Sequence, residues 1–93
     1  MSENMDTDII DFLDQLNFVL SNDFVERWKF RYSTKFIRHF QFRVLSNLNK
    51  QKPLKKTVLH NYLTKRCKYS PDQVTNFFDA INLEFLYPLI MDR

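Results

Sequence analysis

Apolar residues recur along this chain at helical rather than strand spacing. In residues 8–20, Ile9, Leu13, Leu16 and Leu20 follow i, i+4, i+7 and i+11, with Phe12 and Val19 beside them. That is the period of one face of an amphipathic helix. Asp6 or Thr7 would cap it, and the acids of its first turns suit the positive end of a helix dipole. Ser21-Asn22-Asp23 ends the element, and Asp23 with Glu26 reads as the start of the next. Residues 24–32 fit two patterns. Phe24, Val25 and Trp28 make a helical turn, whereas Trp28, Phe30 and Tyr32 alternate with Arg27, Lys29 and Arg31 as in a strand. The lack of glycine turns and of a second convincing strand favours the helix.

A longer helix is predicted from Ser33 or Thr34 to about Asn49. Its buried stripe reads Phe36, Ile37, Phe40, Val44, Leu45 and Leu48. Lys35, Arg38, Gln41, Phe42 and Asn49 fall on the other side, with His39 and Arg43 flanking. The basic loop Lys50-Gln51-Lys52-Pro53 leads into a fourth helix with Val58, Leu59, Tyr62 and Leu63 on its apolar face. Ser70-Pro71-Asp72-Gln73 has the form of a capping box and opens a fifth, whose inward face is Val74, Phe77, Phe78 and Ile81. The segment from Leu83 to Met91 is strongly apolar and broken by Pro88, so it either closes the core or offers a partner a hydrophobic strip. The predicted fold class is all-α, a single small bundle of about five helices over residues 1–93, with 1–5 disordered. Residues 54–82 outline a helix-turn-helix-like pair.

Composition narrows this picture. Ninety-three residues hold one modest core, and ten Phe, four Tyr and one Trp supply the buried area a small domain needs. Glycine is absent, which removes Gly-rich phosphate loops and the usual hairpin turns, and so argues against an all-β fold. Cys67 stands alone and forms no intrachain disulfide, pointing to a reducing, intracellular compartment. No run approaches the ~18–20 apolar residues of a membrane span, and the acidic N-terminal stretch does not read as a secretory signal.

Charge changes the picture most. Thirteen of the fourteen Lys and Arg residues lie between Arg27 and Lys68, a stretch with no Asp or Glu. Residues 1–26 carry seven acids and no Lys or Arg; residues 69–93 carry four acids and only Arg93. A field concentrated in this way recruits polyanions or acidic protein surfaces. Lys52, Lys55 and Lys56 crowd the positive end of the fourth helix, where a folded chain gains by placing acids, and a bound phosphate would reverse that cost. Lys65, Arg66 and Lys68 sit at the same helix's C-terminal end, where the dipole alone accounts for them. The expected nucleic-acid contacts are therefore Lys35, Arg38, Arg43, Lys50, Lys52, Lys55 and Lys56, acting on phosphates. The fifth helix turns Asp72, Gln73, Thr75, Asn76 and Asp79 outward. Gln73 and Asn76 suit adenine edges, but the two carboxylates oppose entry into a groove.

Arg27 to Tyr32 interleaves rings and cations, as single-strand binders do, though at this spacing one side of the rings is core, Trp28 above all. An exposed Phe42 among Lys35, Arg38 and Arg43 would mark a contact surface. A calmodulin-target or membrane-surface helix would need a free apolar face, which the neighbouring helices require for their own burial. Catalytic constellations are missing: His39 and His60 are the only histidines, no Cys/His cluster has metal spacing, and Asp6, Asp8 and Asp11 fall on a solvent side. No cofactor, small-molecule substrate or membrane partner is expected.

Two readings remain. One is a small non-enzymatic domain that binds DNA or RNA, with nuclear placement suggested by the Lys-rich segment 50–56. The other is a protein-interaction subunit of a hetero-oligomeric assembly, meeting its partner through Phe85, Leu86, Leu89 and Ile90 and an acidic surface through its cations. A third possibility tempers both, in which the acidic first helix covers the basic third and neutralises it.

Overall fold

The computed structural model describes residues 13–50, 54–81 and 90–91. The domain is all-α, with five helical segments among the described residues. The first, α1, is described over residues 13–19. It is followed by α2 (Asn22–Trp28), α3 (Thr34–Asn49), α4 (Lys56–Asn61) and α5 (Pro71–Ile81). The α4 helix runs directly into a π-helical turn, Tyr62–Arg66. The predicted cap at Asp6 or Thr7 and the expected disorder of residues 1–5 lie outside the described residues.

Serines set two of the helix starts. Ser21 Oγ accepts from Phe24 N at 3.4 Å and donates to the Phe18 carbonyl at 2.6 Å, so one side chain closes α1 and opens α2. Ser33 Oγ accepts from Phe36 N at 3.1 Å and opens α3. Pro71 stands first in α5, where its missing N–H costs nothing. The strand alternative for residues 24–32 is not adopted: α2 ends at Trp28 and a turn carries the chain through Lys29 to Tyr32.

The core is a cluster of rings centred on α5. Phe77 is fully buried and meets Tyr32 and Phe36 at 4.9 Å between centroids, Phe40 at 5.1 Å, Phe24 at 6.2 Å and Trp28 at 6.3 Å. All five approaches are edge-on, the arrangement that sets a ring's positive edge against another's negative face. Leu16, Val19, Val25, Ile37, Val44, Leu54, Leu59, Leu63, Val74, Phe78 and Ile81 complete the buried hydrophobic set.

Gln41 departs from the predicted stripe. Assigned by periodicity to the outer side of α3, it is only 7% exposed, and its Nε2 donates to the carbonyls of Val19 at 2.8 Å and Ser21 at 2.9 Å. The Val19 carbonyl leaves the end of α1, where no further turn of helix supplies donors, and the Ser21 carbonyl lies at the start of α2. Leu45 and Leu48, expected in the stripe, are instead 43% and 36% exposed. Once one edge of α3 turns toward the end of α1, Leu45 and Leu48 fall at the solvent margin. Replacing Gln41 with leucine should leave both carbonyls without this donor and cost about 1–3 kcal/mol in urea denaturation.

Two short strands were not foreseen. Leu54–Lys55 (β1) pairs in parallel with Ile90–Met91 (β2), with Leu54 opposite Ile90 and Lys55 opposite Met91. Leu54 is buried, so this ladder lies against the core. Of the predicted partner-binding strip, Ile90 is held by its backbone against Leu54, whereas Phe85, Leu86 and Leu89 lie outside the described residues.

Beyond the π turn and its C-cap Cys67, Lys68 has a left-handed φ of 69°, and Tyr69 N reaches back to the Leu63 carbonyl at 3.0 Å. Glycine is the usual residue at such a helix exit, because a Cβ there costs about 1–2 kcal/mol. Lys68→Gly should therefore raise stability by roughly 1 kcal/mol, read as a higher urea midpoint with an unchanged slope.

Candidate nucleic-acid interface

Among the described residues a single ion pair forms, Lys29 Nζ to Glu26 Oε1 at 2.6 Å, within one turn of helix. The other described cations of the central stretch pair with no described carboxylate: Arg38 meets Asn22, and Arg31 and Arg43 lie over ring faces. Asp14, the acid described on α1, is exposed and joins no such pair. The neutral amide of Gln41 joins α3 to the end of α1, while Asp6, Asp8 and Asp11, the other acids of the predicted first helix, lie outside the described residues.

The α3 helix distributes its cations over an exposed arc. Lys35 and Phe42 share the outer face, and Phe42 is 62% exposed, an apolar ring standing beside charge. Arg38 lies at the edge nearest α2, where Nη2 donates to Asn22 Oδ1 at 2.9 Å. Arg43 lies at the opposite edge, its guanidinium 5.3 Å from the ring centroid of Tyr62. Lys50 caps the C-terminus of α3 and is exposed.

The predicted seven contacts do not share one groove. Lys55 is the N-cap of α4 and makes no side-chain cap, so the start of α4 lacks the usual oxygen acceptor. Lys56 lines a cleft of about 190 Å³ between α4 and α5 with Thr57, His60, Thr75, Phe78 and Asp79; there His60 Nε2 lies 3.2 Å from Thr75 Oγ1. Lys52 lies outside the described residues. Arg43 instead meets Lys65 and Arg66, the pair that sequence reasoning had explained by the helix dipole. Together with Val58, Asn61 and Tyr62 they line a groove of about 220 Å³ between α3 and the π turn.

Local chemistry shapes that groove. Thr64 Oγ1 donates back to the His60 carbonyl at 2.9 Å, a competing bond that loosens a helix where the π register begins. Burial, and then a hydrogen bond with Cys67, push the Tyr62 phenol above its ordinary value, against the opposing pull of Arg43 and Arg66. The phenol, neutral at physiological pH even at its ordinary value, stays an O–H. The Arg43 Nε is buried with no hydrogen-bond partner.

The ring-and-cation run at 27–32 divides differently. Tyr32 is buried and Trp28 packs against the core, with Arg31 stacked over both at 5.6 Å from Trp28 and 5.8 Å from Tyr32. Phe30 is 85% exposed, and Lys29 lies 5.4 Å from its centroid. Among the described residues no three His, Cys, Asp or Glu side chains gather as metal ligands, and no helix is long and apolar enough to cross a membrane. No protein-family model, curated protein or solved structure matches this chain significantly.

Proposed function

We propose that this domain binds nucleic acid through its phosphates, with α3 and the turn after α4 facing the ligand. One observation carries the reading. Among the described residues, the cations between Arg27 and Lys68 form no ion pair with a carboxylate of the chain other than that of Lys29 with Glu26. A fold that needed these charges only for solubility would gain by interleaving acids among them. Keeping them together, with Phe42 exposed between Lys35 and Arg43, combines backbone-tracking charge with a ring on which a base can stack.

The α4–α5 pair has the order of a helix-turn-helix, but its second helix presents Asp72 and Asp79 to solvent. Carboxylates facing a phosphate backbone oppose groove entry, so contact through α3 is favoured over base reading by α5. Titrating labelled 20-nucleotide single strands and duplexes at low salt, followed by fluorescence anisotropy, tests the proposal. Saturable binding is expected; no anisotropy change with either ligand would remove it. The competing reading, a subunit docking an acidic protein, predicts that silent result.

A further inference from the structure

We infer that the groove between α3 and the π turn is a phosphate-binding site, the point at which a nucleic-acid backbone is anchored. The inference rests on the nucleic-acid reading above for the identity of its ligand, but the site itself stands on separate geometry.

Arg43, Lys65 and Arg66 converge on one groove of about 220 Å³, and among the described residues no carboxylate lines it. Residues so far apart in sequence gain nothing from mutual proximity: like charges repel, and bringing them together costs free energy that an anion recovers. Arg43 is oriented rather than free. Its guanidinium lies against the Tyr62 ring at 5.3 Å, which restricts the plane of the fork, and its Nε is buried without a partner. A planar, pre-positioned fork is the form of arginine that recognises phosphate oxygens in pairs.

The lining supplies an uncharged donor as well. Asn61 presents an amide, while the Tyr62 hydroxyl is engaged with Cys67 and its ring faces Arg43. Val58 provides an apolar wall, 40% exposed, of the kind a sugar or base can cover. The π turn is the element that carries Tyr62, Lys65 and Arg66 to this edge, and such turns recur at functional sites. The volume suits one phosphate group with its flanking atoms, not an enclosed small molecule.

The test compares Lys65→Gln/Arg66→Gln with Lys35→Gln/Arg38→Gln and the parent chain. All four positions are exposed, so each double variant keeps the core intact. Binding of the 20-nucleotide single strand is measured between 50 and 200 mM salt. In parallel, inorganic pyrophosphate is titrated against labelled protein, reading the backbone amides of Asn61, Lys65 and Arg66 and the Arg43 Nε–H by NMR.

The groove variant should weaken strand binding by about tenfold and flatten the log–log salt slope by about 1.4, two contacts at ~0.7 each. Pyrophosphate should shift the Arg43 Nε–H in the parent and not in that variant. If the groove variant binds the strand like the parent while the α3 variant does not, the groove is not the anchor; the nucleic-acid reading then survives without it. If the parent ignores nucleic acid yet pyrophosphate moves the groove resonances, the nucleic-acid reading fails and the site remains, for a smaller phosphate ligand. Silence in both arms removes both.

Discussion

Replacing Phe77 with alanine is expected to cost about 3–5 kcal/mol, the range for deleting a buried aromatic side chain. The effect should lie at the upper end because the ring is fully buried and edge-packed on its neighbours from α2, α3 and the turn before α3. No single neighbour can relax into the space without abandoning contacts of its own. Small domains have ~5–15 kcal/mol in total, so this one change removes a large share. Each kcal/mol shifts the midpoint of a domain this size by roughly 4–8 °C. A fall of about 15–30 °C in the thermal unfolding midpoint, followed by circular dichroism, is the expected result. Phe30→Ala is the matched control: at 85% exposure its ring has little to lose, and the change should stay within ~0.5 kcal/mol. A mild Phe77→Ala phenotype would mean that the ring cluster does not carry the core.

The second large effect is of salt on binding. If Arg43, Lys65 and Arg66 in the groove act with Lys35 and Arg38 on α3, about five phosphates are neutralised. Single-stranded ligands then give a log–log slope near −3.5, at ~0.7 per contact. A fourfold rise in salt, from 50 to 200 mM, should therefore weaken binding by about a hundredfold. Lys29 is left out of the reckoning because Glu26 already engages it. The slope separates charge-driven contact from stacking: base–ring contacts at Phe42 or Phe30 add affinity that salt does not release. A slope shallower than about −1.5 would show that the free cations do not meet phosphate, whatever the affinity.

The helical content of the fold was legible because it rests on short-range signals. Ser33 and Pro71 stand where starts were expected, and the 3.6-residue period of Phe36, Ile37, Phe40 and Val44 names the α3 core. Gln41 was not legible. Its burial depends on carbonyls of Val19 and Ser21, some twenty positions earlier, and a side chain serving another helix's end leaves no mark in local periodicity. Leu45 and Leu48 misled for the complementary reason: α3 carries more apolar residues than its buried face accommodates.

The groove was hidden in two ways. Arg43 meets Lys65 and Arg66 only through tertiary packing, and the dipole argument for the latter pair was sufficient in itself. The π turn has no pattern comparable to a cap or a proline. The left-handed Lys68 gave no warning either, since the residue that announces such an exit, glycine, is missing from the chain.

The pairing of Leu54 with Ile90 closes α4, the π turn and α5 into a ring of chain. A chain cut short before Ile90 would still contain every described helix, yet β1 would be left an unmated strand. That is the geometry that invites exchange of segments between copies.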